Sequence, residues 1–177
     1  MPLVKSGKVV EDRYVRVADG DPVPDQGAVI VSADRFLADA DELAQRSDPV
    51  GVIWPNNRNV AELEAHLPRL ALVALVFPAY KDGRAYSQAR VLRERFGFRG
   101  ELRATGQVLR DQFLFLLRAG FDAFDVAKPA DATAFEEAAR RYSVFFQPTG
   151  DGRVTVARVR TSRDARPAPV RSERVSA

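Results

Sequence analysis

Residues 77–106, FPAYKDGRAYSQARVLRERFGFRGELRATG, decide the fold because they contain one complete passage from a strand through a helix to the next strand. An apolar run ends at Phe77, and apolar side chains then recur at helical spacing as far as Gly97. The order repeats, since Gly97 and Gly120 each end a helical stripe and each precede phenylalanine and a strand (FGFRGELRA and AGFDAFDVA). This repetition predicts consecutive βα units.

Five short apolar runs, mostly without alternation, predict strands that are buried on both faces of a parallel sheet. They lie at residues 28–31, 50–54, 70–77, 101–104 and 122–126. Amphipathic segments separate them, and right-handed crossovers allow either an open Rossmann-like sheet or a partial βα barrel. The pattern predicts one α/β domain over residues 1–150, with a short amino-terminal hairpin of residues 8–10 and 14–17.

Composition excludes several classes of protein and of site. The 177 residues are 46% hydrophobic, which suits one globular core. The absence of cysteine excludes disulfides, thiolate metal sites and cysteine redox chemistry, and with a single histidine, His66, we predict no metal site. The longest apolar run, residues 70–79, is about half the length of a membrane-spanning helix. Charges stand where a signal peptide would be apolar, so we expect a cytoplasmic protein.

Charge is distributed unevenly along the chain. The formal net charge is +3, but residues 153–177 carry seven arginines and a net charge of +5, which leaves −2 for the remainder. The Arg-rich tail, residues 151–177, exchanges its apolar residues for arginine, proline and serine, which predicts that it is largely disordered. An arm for nucleic acid or an acidic partner is one interpretation. A solubilising extension is the simpler one, because no aromatic side chains are interleaved for base stacking.

Cationic and hydrogen-bonding side chains gather after the third predicted strand. Lys81 and Arg84 flank Gly83, and the amides of residues 83–86 would point outward at a helix start, where the helix dipole favours negative charge. Ligands of parallel α/β folds bind beyond the carboxyl ends of the strands, so we predict an anion pocket there. The predicted members are Lys81, Gly83, Arg84, Tyr86, Ser87, Arg90, Thr105, Gly106 and Gln107. The alternative is that Asp82 caps the helix and that Lys81 and Arg84 are solvated.

Two aromatic features have both a functional and a structural interpretation. Trp54 and Asn56 follow the second strand, where Trp54 could stack on a ligand ring or simply be buried at the strand end. Helix 107–119 contains FLFLL and is apolar all round, so Leu114 or Phe115 must face a second element or another copy of the chain.

The helix that follows Gly83 carries three further side chains on one predicted face. Tyr86, Arg90 and Arg93 stand at i, i+4 and i+7, either to hold a partner or a phosphate or to pair with Glu94 and Glu101. The sequence contains no dinucleotide fingerprint, phosphate loop, nucleophile elbow or histidine-based triad. No particular cofactor or reaction is therefore predicted from the residues.

Residues 77–124, from FPAYKDGRAYSQ to FLFLLRAGFDAF, closely resemble a family of short bacterial proteins labelled as oxidoreductases of sulfite reduction. Its members are typically encoded beside assimilatory sulfite reductase and the sulfonucleotide reductase. The positions that match the family pattern are Lys81, Asp82, Gly83, Arg84, Tyr86, Ser87, Gly97, Gly100, Gly106, Asp111 and Gln112. The resemblance implies a role in sulfur assimilation and cysteine biosynthesis, with one of these two reductases as a partner, and it implies no catalytic residue.

Three hypotheses follow for the function. The first is an accessory protein of assimilatory sulfate and sulfite reduction that binds an oxyanion, a sulfonucleotide or the reductase through the basic strand-end crevice. The second is an oxidoreductase of sulfite reduction that recruits a flavin or nicotinamide cofactor through a nonstandard site. The third is a non-catalytic adaptor, or a homodimer formed through helix 107–119.

Overall fold

Eight strands form one sheet in the computed structural model, which describes residues 1–149 and 153–161. The strands are β1 Leu3–Lys5, β2 Lys8–Val10, β3 Val15–Arg16, β4 Val29–Ser32, β5 Val50–Trp54, β6 Leu70–Phe77, β7 Glu101–Gly106 and β8 Ala123–Asp125. Their order across the sheet is β2-β1-β8-β7-β6-β5-β4-β3.

Helices and helical turns follow the strands from β4 onward. They are α1 Ala33–Ala38, α2 Ala40–Leu43, a 3₁₀ helix Val60–Arg69, α3 Arg84–Arg90 continued by a π-helical turn Val91–Arg95, a 3₁₀ turn Arg110–Gln112, α4 Phe113–Ala119, α5 Asp131–Arg140 and α6 Val156–Thr161. None of the helices within the described residues has the length and apolar character that a membrane crossing requires.

The mixed α/β class is confirmed, but the sheet has more strands than predicted and its orientation is mixed. The five predicted strands form β4 to β8 and pair in parallel, whereas β1 is antiparallel to both β2 and β8. The predicted hairpin is wrong, because β2 pairs with β1 and β3 lies parallel to β4 at the opposite edge. Ser6 and Gly7 both have positive φ, and a two-residue turn of that kind closes a hairpin between β1 and β2.

The sheet curls into a half-barrel, and the chain connectivity explains why. Strands β3 to β8 follow one another in order, so right-handed crossovers place their helices on one face. Only residues 11–14 join β2 to β3, at opposite edges of the sheet. Eight flat strands would separate those edges by about 34 Å, whereas five backbone steps span at most about 18 Å. The short connection therefore requires curvature.

The two faces of the sheet differ in chemistry. The convex face packs against the helices, and its strand side chains in the main core are Val4, Val29, Val31, Val50, Val52, Trp54, Leu70, Val73, Leu75, Phe77, Leu102, Ala104 and Phe124. On the concave face Tyr14, Ala28, Ile30, Leu72 and Ala74 form a second, smaller cluster. The central strands are thus buried on both faces, as predicted, whereas the concave side of β7 and β8 is polar.

The predicted disordered tail lies mostly outside the described residues. Residues 150–152 and 162–177 are not among them. Within the described part, Thr155 bridges to Phe145, and α6 follows directly. The alternation of valines at 154, 156 and 159 thus runs into a helix.

Candidate functional site

A polar cavity of about 250 Å³ opens on the concave face of the half-barrel. Its polar wall comes from β7, where Glu101, Arg103 and Thr105 alternate with Leu102 and Ala104, which are buried in the main core. The residues that line it are Met1, Asp12, Tyr14, Arg16, Ile30, Ala74, Arg103, Thr105 and Asp125. The curl of the sheet is what brings these distant positions together.

Arg103 is the centre of a buried ionic network and is only 3% exposed. Its guanidinium donates two hydrogen bonds to the two Asp12 oxygens, at 2.5 and 3.0 Å, and one to Oε1 of Glu101 at 2.9 Å. Lys5 pairs with the other oxygen of Glu101. The nearest oxygen of Asp125 lies 3.9 Å from Nη1 of Arg103. The buried charge is therefore compensated, with Asp12 as its principal partner.

Small neighbours make room for the Arg103 side chain. Ala74 and Ala123 are its register partners in the strands on either side. The Tyr14 ring lies beside the guanidinium, with its centroid 5.7 Å from the guanidinium carbon. The segment that joins β2 to β3 thus closes over the network from the open side of the sheet.

The two aspartates of the cavity have opposite pKa shifts. Burial raises the pKa of Asp12, but the hydrogen bonds from Arg103 and from the Tyr14 amide outweigh it and hold that pKa below its usual range. Burial raises the pKa of Asp125, and the Thr105 hydroxyl and the Arg103 charge only partly oppose that effect. Asp125 is thus the carboxyl in this cavity that gains a proton more easily than usual.

A second cavity, of about 560 Å³, adjoins the first at the carboxyl ends of the strands. Arg16 and Thr105 line both cavities. Arg16 is exposed on the edge strand β3, and within residues 1–149 and 153–161 it makes no hydrogen bond or ion pair through its side chain. Its charge lowers the pKa of Asp125, so the two groups are electrostatic neighbours. Arg16 is consequently a cation available to a ligand on the concave face.

The structure brings two of the predicted site residues, Thr105 and Gly106, to this second cavity. Gly106 has φ of 94°, and a Cβ there would lie 2.4 Å from the carbonyl oxygen of Phe77, so only glycine fits. The Gln107 amide donates to that same carbonyl at 2.8 Å, and its side-chain oxygen accepts from the Tyr80 amide. Gln107 thus ties the loops after β6 and β7 together.

In the loop after β6, where the sequence predicted an anion pocket, the arginine is already paired with a carboxylate. The Arg84 guanidinium donates to both oxygens of Asp82, at 3.0 and 2.7 Å, and these bonds hold the pKa of Asp82 well below its usual range. Asp82 also accepts the Arg84 amide at the start of α3. Gly83 has a φ of −84°, which any residue adopts. Lys81 and Ser87 are exposed. The charge of Arg84 is therefore offset by its own neighbour.

Tyr86 and Arg90 lie on the convex side of the sheet, which the helices cover. Both line a groove of about 610 Å³ between α4 and residues 142–149. The Tyr86 ring packs edge-on against Phe77 at 5.3 Å, and burial, with a smaller effect from Asp111, raises the pKa of Tyr86 to about 12. Arg90 pairs with Glu94 at 3.1 Å, as the structural interpretation expected.

Arg93 does not share that exposed face, and this expectation is wrong. Its guanidinium donates to the carbonyls of Phe98, Gly100 and Gly120 at 2.6 to 2.9 Å and pairs with Asp122. The cause is the π-helical turn that begins at Val91, because the wider turn rotates the following side chains away from the α-helical register.

Trp54 and Asn56 are both buried. The Trp54 ring belongs to the main core, and the Arg58 guanidinium lies 5.1 Å from its centroid. The Asn56 side chain lies close enough to Asp82 to help lower the pKa of that carboxyl, although its Nδ2 has no hydrogen-bond partner among the described residues. Both therefore support the loops at the carboxyl ends of β5 and β6, away from the concave cavities. Over the described ranges, no group of three histidine or carboxylate side chains is placed to hold a metal ion.

Asp12, Arg16 and Arg103 do not stand out in the sequence, although one signal points to Arg103. The strand Glu101–Gly106 reads E-L-R-A-T-G, with polar and apolar residues in alternation. That pattern is typical of a strand with one polar face. Asp12 and Arg16 carry no comparable signal, because their place in the cavity depends on the crossing from β2 to β3.

Comparisons with known proteins identify a family and no individual relative. No curated protein and no solved structure matches the chain. The family described as bacterial protein of unknown function (DUF934) matches residues 51–157, from β5 into α6. The match includes Arg103 and Asp125 and leaves out Asp12 and Arg16. Because it covers more than half of the 177 residues, the chain belongs to the DUF934 family.

Proposed function

We propose that this chain is an accessory protein of assimilatory sulfite reduction that binds a small oxyanion on the concave face of its half-barrel. The observation that carries the binding site is the Arg16 guanidinium, which lines both concave cavities and pairs with no described carboxylate. The likeness of residues 77–124 to proteins labelled for sulfite reduction supports the choice of pathway.

The location of the cavities supports a ligand site. They open at and below the carboxyl ends of parallel strands, where βα folds hold their ligands. A guanidinium offers a planar pair of donors to an oxyanion. The inner cavity of about 250 Å³ is smaller than the roughly 300 Å³ or more of pockets for larger organic ligands. Sulfite therefore suits the inner cavity better than a sulfonucleotide does.

Calorimetry with separate variants tests the site. We expect Arg16→Gln to weaken sulfite binding at least about tenfold, because one charge-assisted hydrogen bond contributes roughly 1.5 to 3 kcal/mol. The double variant Lys81→Ala with Arg84→Ala should bind as the wild type does, since Asp82 already offsets Arg84. A loss confined to that double variant would move the site to the loop after β6. Equal affinity in all three proteins would refute both locations.

A genetic measurement tests the pathway independently. A strain without the gene should grow on cysteine and grow poorly on sulfate as sole sulfur source. Sulfite supplied at high concentration should restore growth only if the defect lies before the reductase. Equal growth on sulfate and on cysteine would separate the protein from sulfite reduction.

An adaptor is the second candidate function, and the surface of α4 favours it. Phe115 is 65% exposed, and the nearby Tyr142 and Phe146 are exposed as well. Exposed aromatic side chains that share one groove are typical of contact surfaces. If this face joins two copies of the chain, Phe115→Glu should lower the sedimentation mass at equal protein concentration. Leu109→Glu, at an exposed position outside that groove, is the matched control.

A further inference from the structure

We infer that the concave site takes up its oxyanion together with a proton, and that Asp125 is the group that holds this proton. The inference rests on the proposed function, because it concerns the same site. It assigns a role in proton uptake and anion binding to a residue at the end of β8.

Of the three carboxylates near the Arg103 guanidinium, Asp125 is the one that this positive charge stabilises least. Asp12 receives two of the guanidinium donors and Glu101 receives one. Asp125 is held only at ion-pair distance, 3.9 Å from Nη1 of Arg103, although its side chain is just 14% exposed. The neutral Thr105 hydroxyl lowers the pKa of Asp125 only in part against the effect of burial.

Charged and titratable groups face Asp125 from each neighbouring element of the cavity. Arg103 faces it from β7, Arg16 from β3, and Asp12 from the segment between β2 and β3. Met1, two residues before β1, lines the same cavity. In the absence of a ligand, burial already raises the pKa of Asp125, and the like charge of Asp12 adds to that effect.

An oxyanion at Arg16 changes this balance in one direction. Its negative charge offsets the Arg16 charge that helps to keep Asp125 ionised, and any charge beyond one unit is a net like charge in the same cavity. The pKa of Asp125 is therefore higher in the complex than in the free protein. The carboxyl therefore takes a proton from solvent, and the neutral form offers its O–H to the anion. Asp12 keeps both bonds from Arg103 and stays ionised.

Linkage then fixes the sign of the pH dependence. A group whose pKa is higher in the complex binds protons on complex formation, so the affinity rises as the pH falls. At its steepest the change approaches about tenfold per pH unit for one proton. The pH window lies between the pKa of Asp125 in the free protein and its higher value in the complex.

Calorimetry with sulfate measures the proton directly, because sulfate does not titrate near neutral pH. We would titrate sulfate into the full chain between pH 5 and 7.5, in pairs of buffers with different ionisation enthalpies. The wild type should take up protons, approaching one per bound sulfate at the pH of maximum uptake, and should bind more tightly as the pH falls. Asp125→Asn should bind sulfate without proton uptake, since its amide donates at every pH. Asp41→Asn, which changes an exposed carboxylate on α2 that lines neither concave cavity, should behave as the wild type.

The outcomes separate the inference from the proposed function. Binding that depends on Arg16 but takes up no proton in the wild type would overturn the inference and leave the proposed function standing. Proton uptake retained in Asp125→Asn would assign the proton to another group and also overturn it. No binding of sulfate or sulfite by the wild type would overturn both. The carbon chemical shift of the Asp125 carboxyl, followed in the wild type with and without sulfate, must show the higher pKa even if the variant does not fold.

Discussion

Replacing Arg103 by methionine tests the central network of the concave face. Methionine keeps the length of the side chain and removes its charge and all three of its hydrogen bonds to Asp12 and Glu101. Removing one partner of a buried ion pair typically destabilises a protein by about 3 to 5 kcal/mol, because the other charges remain buried and unpaired. Asp12 is 35% exposed and Glu101 keeps Lys5, so we expect the lower end, about 3 kcal/mol.

The pH dependence of that loss identifies its cause. In the wild type the lowered pKa of Asp12 contributes stability that is present above its unfolded pKa and is lost as the pH falls through the folded value. Without Arg103 the buried carboxyls acquire raised pKa values, and a raised folded pKa means stability that is lost as the pH rises. The deficit of Arg103→Met should therefore be larger at pH 8 than at pH 5.

Urea unfolding at both pH values measures the effect, and thermal unfolding should show a fall in Tm of about 6 to 12 °C for about 3 kcal/mol in a chain of this size. Arg99→Met, at an exposed arginine without a hydrogen bond or ion pair to another described side chain, is the matched control and should change stability by less than about 0.5 kcal/mol. A deficit below about 1 kcal/mol, or one that is equal at pH 5 and pH 8, would refute the buried-network reasoning.

Two further substitutions test the backbone that supports the site. Gly106→Ala should destabilise the protein by more than about 3 kcal/mol, because a left-handed φ and a collision with the Phe77 carbonyl act together. Gly97→Ala, also at positive φ but in open space, should lose only about 1 kcal/mol in the same urea titration. Arg93→Ala removes three hydrogen bonds to backbone carbonyls and should lower the free energy of unfolding by about 3 kcal/mol or more. Arg95→Ala, at an exposed neighbouring position, is the control and should change the thermal unfolding little. Similar losses in both variants would argue against the role of the π-helical turn.

The strands and helices of the central βα units could be predicted because their signals are local. Ala85, Ala89 and Leu92 recur at helical spacing before Gly97, and all three are fully buried. The five apolar runs became β4 to β8 for the same reason, since the spacing of side chains along a strand decides which faces can be buried. The amino-terminal pairing failed because a turn of two residues, Ser6 and Gly7, outweighed the apolar pattern of the later segment.

The candidate site could be predicted only in part. Thr105 and Gly106 follow from the general position of ligands at strand ends, and they do line a concave cavity. Lys81 and Arg84 suggested a pocket by charge alone. The sequence does not show that Arg84 forms an ion pair with Asp82, two residues away. A count of like charges in a loop does not reveal which of them a neighbouring carboxylate has already neutralised.

Local sequence determined the parallel βα units, their helical faces and the glycine at the end of β7, because each depends on neighbours within a few residues. Tertiary structure alone decided that Asp12, Arg16, Arg103 and Asp125 share one cavity. These residues are separated by up to 113 positions, and they meet because a connection of four residues spans the edges of an eight-stranded sheet. The curvature that this connection imposes is a property of the whole sheet, and no single segment encodes it.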